Sequence, residues 1–84
     1  MGRLTLYSKP GCHLCDDMKA IVQRVLDGRQ DVELTEIDIS GDALLLSRYE
    51  LEIPVLELDG RKIAKYRITE TQLRQKVEGI RKKE

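Results

Sequence analysis

Both cysteines of this 84-residue chain lie within four positions, in the run Cys12-His13-Leu14-Cys15, and this placement limits the choice of folds. The run follows a short segment of alternating apolar residues that ends at Pro10-Gly11, and it precedes apolar residues with helical spacing. Alternation with period two predicts a strand, and a Pro-Gly pair predicts a loop. The sequence therefore places the cysteine pair where a strand ends and a helix begins.

Apolar periodicity predicts the two elements that follow the cysteine pair. The first is a helix that ends at Gly28, a position where glycine commonly terminates helices. Its apolar stripe is expected to contain Leu14, Met18, Ile21, Val22 and Val25. The second is a strand from Val32 to Ile39. The phase of its apolar residues changes at Thr35-Glu36, which predicts a bend or bulge there.

Turn and capping residues predict the next elements. A short helix is expected within residues 40–51, capped by Ser40 or Asp42. The pair Asp59-Gly60 readily supplies the positive φ angles of a tight turn, and it is typical of a hairpin. The two strands of this hairpin are expected at Val55–Leu58 and Ile63–Tyr66.

The last helix has a well-defined predicted start. Thr69 is expected at the N-cap, with Gln72 three residues later completing a capping box. Ile68 and Leu73 flank this start as a hydrophobic staple. The inward-facing residues of the helix are predicted to be Leu73, Val77 and Ile80.

The predicted order of elements is β-α-β-α-β-β-α. A right-handed β-α-β crossover makes the first two strands parallel, and the hairpin adds two antiparallel strands. The sequence thus predicts an α/β fold with a four-stranded mixed sheet flanked by helices. A chain of this length buries one modest core, so residues 1–84 are expected to form a single domain.

Charge and hydropathy exclude several classes of partner. Fifteen Lys and Arg balance fifteen Asp and Glu, so no overall field attracts nucleic acid or anionic lipid. No apolar stretch approaches the roughly 20 residues of a membrane helix, and the first ten residues contain no apolar run of signal-peptide length. We expect a cytoplasmic monomer that binds neither nucleic acid nor membranes.

The position of Cys12 predicts thiol chemistry. Unpaired N–H groups at a helix start favour an anion, and a thiol pKa near 8.5 falls to about 3.5–7.5 in such positions. Lys9, three residues upstream, adds positive potential. Cys15 lies within one helical turn, so its sulfur can attack a mixed disulfide formed on Cys12. We therefore predict Cys12 as the nucleophile and Cys15 as the resolving thiol, in a reducing compartment where structural disulfides are rare.

The run from Leu4 to Cys15, together with Ile53-Pro54-Val55-Leu56 and Asp59-Gly60, resembles glutaredoxin-like members of the thioredoxin superfamily. This resemblance covers essentially the whole chain. It implies a thioredoxin-like fold and a thiol–disulfide oxidoreductase that holds no tightly bound cofactor. It also implies that Pro54 is cis and lies beside the cysteine pair, which leaves the backbone of Ile53 free to bind an extended thiol partner. Lys9 matches the lysine that the family carries upstream of its motif.

One region departs from the family pattern. Glutaredoxins usually carry a Gly-Gly pair and an acidic helix start after the hairpin, where this chain has residues 64–70, Ala-Lys-Tyr-Arg-Ile-Thr-Glu. This difference weakens the case for glutathione as the thiol co-substrate. Arg67 is a candidate to contact a carboxylate in place of the missing backbone donors. The substrates are then protein or glutathione disulfides, and glutathione or a separate reductase recharges the pair.

A metal site is the alternative interpretation of the cysteine pair. Structural zinc takes four ligands, and the chain offers only Cys12, His13 and Cys15 as Cys or His ligands. Haem attachment requires histidine after the second cysteine, where Asp16 stands. We therefore assign no metal ligands within the chain. The alternative function is a non-catalytic module that binds a metal, an iron–sulfur cluster or a protein, completed by another molecule.

Overall fold

A computed structural model describes residues 2–82, with side chains described for residues 2–79, and its strands and α-helices follow the predicted order. They are β1 (Gly2–Ser8), α1 (His13–Leu26), β2 (Val32–Asp38), α2 (Ala43–Tyr49), β3 (Val55–Leu58), β4 (Arg61–Lys65) and α3 (Glu70–Lys82). A short 3-10 helix, Ile39–Gly41, lies between β2 and α2. No helix in this part of the chain is long and apolar enough to cross a membrane.

The four strands form one mixed sheet in the order β2-β1-β3-β4, which confirms the predicted architecture. β1 is parallel to β2, with Ser8 opposite Asp38 at its end. β1 is antiparallel to β3, with Tyr7 opposite Val55. The carboxyl end of β1 therefore lies beside the amino end of β3, so the cysteine loop and the Ile53-Pro54 pair leave the sheet at the same edge.

The predicted bulge in β2 is wrong. The pairing of β1 with β2 continues without interruption through Thr35-Glu36. The apolar phase changes because both faces of the sheet are covered: Leu34 packs on the main core, whereas Ile37 points to the opposite face. The irregularity in the sheet lies instead between β3 and β4, at Leu56 and Glu57.

The hairpin turn is confirmed at Asp59-Gly60, where the two φ angles are 52° and 85°. β4 begins at Arg61 and not at the predicted Ile63, because a two-residue turn leaves no further loop before pairing resumes. β4 also ends one residue before the predicted Tyr66, whose backbone has left the extended region.

The main core fills the face of the sheet that α1 and α3 cover. Its buried residues are Leu4, Leu6, Met18, Val22, Val25, Val32, Leu56, Ile68, Leu73 and Val77. The prediction that Leu14 belongs to this stripe is wrong, since its side chain is 37% exposed. Cys15 takes the inward position, and Leu14 points about 100° away from it around the helix.

Both predicted features of the helix ends near this core are confirmed. Gly28 follows α1 with a φ of 80°, as expected of a C-terminal glycine. At α3, the Thr69 N–H donates to Gln72 Oε1 and the Gln72 N–H donates to Thr69 Oγ1, both at 3.1 Å. Ile68 and Leu73 are buried on either side of this capping box. The inward position predicted for Ile80 lies outside the described side chains.

A second apolar cluster covers the opposite face of the sheet beneath α2. Its members are Ile39, Tyr49 and Val55, with Tyr7, Leu45, Leu46 and Ile53 packed against them. α2 is shorter than the predicted 40–51 because residues 39–41 form the 3-10 turn. Asp42 is the N-cap, and its carboxylate accepts hydrogen bonds from the N–H groups of Leu44 and Leu45.

Candidate redox site

Cys12 lies at the N-cap of α1. β1 ends at Ser8, and the chain turns through Gly11, whose φ is 79°, before Cys12 adopts extended angles ahead of the first helical residue. Cys12 Sγ accepts a hydrogen bond from the Cys15 N–H at 3.1 Å. The sulfur therefore occupies the position where serine or aspartate caps other helices, and the same N–H stabilises a thiolate.

The two cysteines are joined by a disulfide bond, with their Cα atoms 5.2 Å apart. Cys12 is half-buried, whereas Cys15 is only 3% exposed because it faces the core. A disulfide or thiol from another molecule thus reaches the sulfur of Cys12 more readily than the sulfur of Cys15.

The Ile53–Pro54 peptide bond is cis, in line with the family resemblance. Pro54 is buried and immediately precedes β3, whose first residue, Val55, pairs with Tyr7 near the end of β1. The backbone of Ile53 is only partly free. Its N–H donates to the carbonyl of Tyr49 at 3.0 Å, because the last turn of α2 reaches this loop. The N–H of Ile53 is thus already paired within the chain.

Lys9 lies at the mouth of an open cleft of about 320 Å³ beside the cysteine pair. The cleft is lined by Ser8, Lys9, Pro10, Cys15, Asp16, Glu36 and Asp38. Lys9 is exposed, and we find no ion pair for it among the described side chains. Its charge is thus available near the cysteines, although in a cleft that also contains carboxylates.

Glu36 was not predicted as a site residue, because only the parallel register of β1 and β2 brings it to this cleft. Its carboxylate pairs with Lys19 at 2.8 Å and accepts a hydrogen bond from Ser8 Oγ at 3.1 Å. The Lys19 hydrogen bond, and then the one from Ser8, lower the pKa of Glu36. A negative charge therefore persists in the cleft that Lys9 also lines.

Tyr66 was also missed as a site residue. Its backbone φ is 71°, a value that residues other than glycine rarely adopt. Its N–H donates a hydrogen bond to the Pro54 carbonyl at 2.9 Å. Its hydroxyl donates to the Leu51 carbonyl at 2.9 Å. Tyr66 thus holds both ends of the loop that contains the cis peptide. No residue type in 64–70 signals this positive φ, because neither glycine nor asparagine is present there.

A pair of stacked tyrosines lies beneath this edge of the sheet. The rings of Tyr7 and Tyr49 are 4.3 Å apart between centroids, and both hydroxyls donate to the carboxylate of Glu57. Burial, followed by the charge of Glu57, raises the pKa of Tyr7 to about 12. These contacts explain Tyr7 as a structural residue of the second cluster.

We expect one tyrosine of the folded protein to ionise at about pH 12, and Tyr7→Phe to remove that transition. The fold holds the Tyr7 proton more tightly than the unfolded chain, whose tyrosines ionise near pH 10. Tyr7 therefore contributes stability below pH 10 that is lost as the pH rises toward 12. Ultraviolet absorbance of tyrosinate measures the ionisation. If Tyr7→Phe leaves the highest transition in place, the shift belongs to another tyrosine.

We find no group of three or more His, Cys, Asp or Glu that could hold a metal ion among the residues the structure describes. His13 is exposed in the first turn of α1.

Comparisons with known proteins agree with this geometry. Residues 3–78 match the family described as Glutaredoxin-like domain (DUF836). The chain is 27% identical over 82 residues to the "Glutaredoxin-like protein YDR286C homolog" of Dictyostelium discoideum, covering 92% of this chain and 76% of that protein.

Solved structures give the same result. Protein XcR50 from X. campestris is 32% identical with a TM-score of 0.73, over 90% of this chain and 96% of that one. A mutant thioredoxin from Halobacterium salinarum, 23% identical, shares the fold with a TM-score of 0.68, over 93% of this chain and 73% of that one. The fold of this chain is thioredoxin-like, and the match over residues 3–78 shows that the chain belongs to the glutaredoxin-like domain family.

Proposed function

We propose that this protein is a dithiol–disulfide oxidoreductase in which Cys12 is the nucleophile and Cys15 the resolving thiol. The observation that carries the proposal is the position of Cys12 Sγ, at the N-cap of α1 and on the N–H of Cys15. This N–H and the helix dipole stabilise a thiolate on Cys12 more than on the buried Cys15.

The reaction takes place in two exchanges. The Cys12 thiolate attacks one sulfur of a substrate disulfide, forms a mixed disulfide, and releases the other substrate sulfur as a thiolate that takes up a proton. Cys15 then loses its proton and attacks Cys12 Sγ, which releases the second substrate thiol and forms the Cys12–Cys15 disulfide. Two electrons pass to the substrate. A thiol or reductase outside the chain returns them by the reverse exchanges.

The backbone next to Pro54 and the charge of Lys9 are proposed to bind the substrate. Pro54 lies at the same edge of the sheet as the cysteine loop, and we propose the carbonyl of the preceding residue, Ile53, as the backbone acceptor for the substrate. Between the two classes of disulfide, the residues after β4 favour proteins over glutathione. Residues 64–70 occupy the region where glutaredoxins usually carry Gly-Gly, and within it the Tyr66 N–H is already bonded to the Pro54 carbonyl.

Trapping of the mixed disulfide tests the two cysteine roles. The reduced Cys15→Ser chain, incubated with a cysteine peptide activated by thionitrobenzoate, is expected to retain the peptide on residue 12 because the second exchange is blocked. Mass mapping of the adduct locates it. The Cys12→Ser chain is the matched control and should react far more slowly, since Cys15 is buried. Faster capture on Cys15 than on Cys12 would reverse the roles.

A further inference from the structure

A second cleft, largely apolar, begins at the cysteine motif and is separate from the cleft that contains Lys9. Its volume is about 470 Å³, within the roughly 300–1,000 Å³ typical of ligand sites. Leu14, Met18 and Ile21 of α1 line one side, and Arg67 and Ile68 line the other. Leu14 belongs to the cysteine motif itself and is 37% exposed. The cleft therefore reaches the cysteine motif at Leu14, the residue that precedes Cys15.

Arg67 supplies an available positive charge in this cleft. Asp17 and Arg24 also line it, but Arg24 pairs with Glu70 at 3.6 Å. Arg67 is exposed, and no carboxylate lies within ion-pair distance of it among the side chains of residues 2–79. A carboxylate brought by a ligand would thus find Arg67 without displacing an internal partner.

The backbone fixes the place from which Arg67 extends. The Arg67 N–H donates to the Lys65 carbonyl at 2.8 Å, which closes a three-residue turn around Tyr66. Tyr66 is held in its left-handed conformation by its bonds to Leu51 and Pro54. Unusual backbone conformations persist where the surrounding structure enforces them, often at binding sites. Here the turn takes the chain from the end of β4, which is bonded to the cis-proline loop through Tyr66, to the cleft that Arg67 lines.

We propose that this cleft binds the polypeptide segment next to the substrate disulfide, with an apolar side chain against Leu14 and Ile21 and a carboxylate on Arg67. The proposal rests on the proposed oxidoreductase function and specifies its substrate as a protein with an apolar, acidic sequence beside the reacting cysteine. Glutathione carries carboxylates but no large apolar side chain, so it would use only part of the cleft.

Four activated peptides test this subsite on the reduced Cys15→Ser chain. Each peptide has a cysteine bound to thionitrobenzoate. Leucine or serine stands near that cysteine, together with glutamate or lysine, which gives four combinations. The two variable residues lie on either side of the cysteine. Thionitrobenzoate release gives the rate of attack. The leucine–glutamate peptide should react about threefold faster than the leucine–lysine peptide, as an exposed ion pair predicts. It should also react faster than glutathione carrying the same activating group.

Charge reversal identifies the residue responsible. Arg67→Glu should invert the preference between glutamate and lysine peptides, whereas Arg61→Glu should leave it unchanged. Arg61 is exposed at the hairpin end of β4, so this control makes the same change of charge at the far end of the strand. Leu14→Ala should slow only the leucine peptides.

Two results would overturn the subsite while leaving the oxidoreductase intact. These are equal rates for all four peptides, or an equal change of preference in the Arg61→Glu and Arg67→Glu chains. Failure of every peptide and of activated glutathione to react at residue 12 would instead contradict the proposed function itself.

Discussion

Cys12→Ser is expected to reduce the turnover of a protein disulfide to the uncatalysed background. Serine keeps a side-chain oxygen that can cap α1, so the fold should survive the substitution. The hydroxyl does not form the thiolate that attacks a disulfide sulfur. Loss of a covalent nucleophile costs on the order of 10⁶ in kcat where the catalytic residues act as a unit. The effect is measured as the rate at which free substrate thiols appear in the presence of an excess of reducing thiol.

Cys15→Ser is the matched control for this experiment. The substitution makes the same chemical change, sulfur to oxygen, three residues away at the buried side chain of Cys15. The first exchange should proceed at close to the normal rate, but the product remains bound to Cys12 until an external thiol releases it. The expected result is a single-turnover burst with slow subsequent cycles. Turnover of the Cys12→Ser chain above background would show that another group attacks the substrate.

The elements that could be predicted from the sequence are those defined by local signals. Asp59-Gly60 supplies the positive φ angles of its turn regardless of the rest of the chain. Thr69 and Gln72 form their capping box within a single turn of helix. The Pro10-Gly11 break between a strand pattern and a helix pattern similarly places Cys12 at the start of α1. The parallel pairing of the first two strands and the antiparallel hairpin followed, because short connections and a right-handed crossover leave few alternatives.

The features that escaped prediction depend on contacts between distant segments. Leu14 and Cys15 both fit an apolar stripe, and only packing of α1 on the sheet selects Cys15 for the interior. The N–H of Ile53 is occupied because the end of α2 reaches it. Tyr66 adopts a positive φ that its residue type disfavours, held by bonds to a loop 12 to 15 residues away. In each case tertiary structure overrides a local preference.

Leu6→Ala should destabilise the protein by about 2–5 kcal/mol, the cost of removing a buried leucine from a well-packed core. Leu6 is fully buried on β1, where it pairs with Leu56 of β3 and belongs to the main core. Domains of this size have a total stability of roughly 5–15 kcal/mol, so the substitution removes a large part of it. The expected fall in Tm is on the order of 10–30 °C.

Leu44→Ala provides the matched control, because it deletes the same atoms from a side chain that is 82% exposed. Its effect should stay within about 0.5 kcal/mol. Urea denaturation of the reduced chains, monitored by circular dichroism, measures the free energy of unfolding of both variants without a contribution from the disulfide. β1 leads directly into the loop before Cys12. If Leu6→Ala lowers the free energy of unfolding no more than Leu44→Ala does, the buried face of β1 does not anchor the cysteine pair. The contrast between the two leucines thus tests whether burial on this face stabilises the platform from which Cys12 acts.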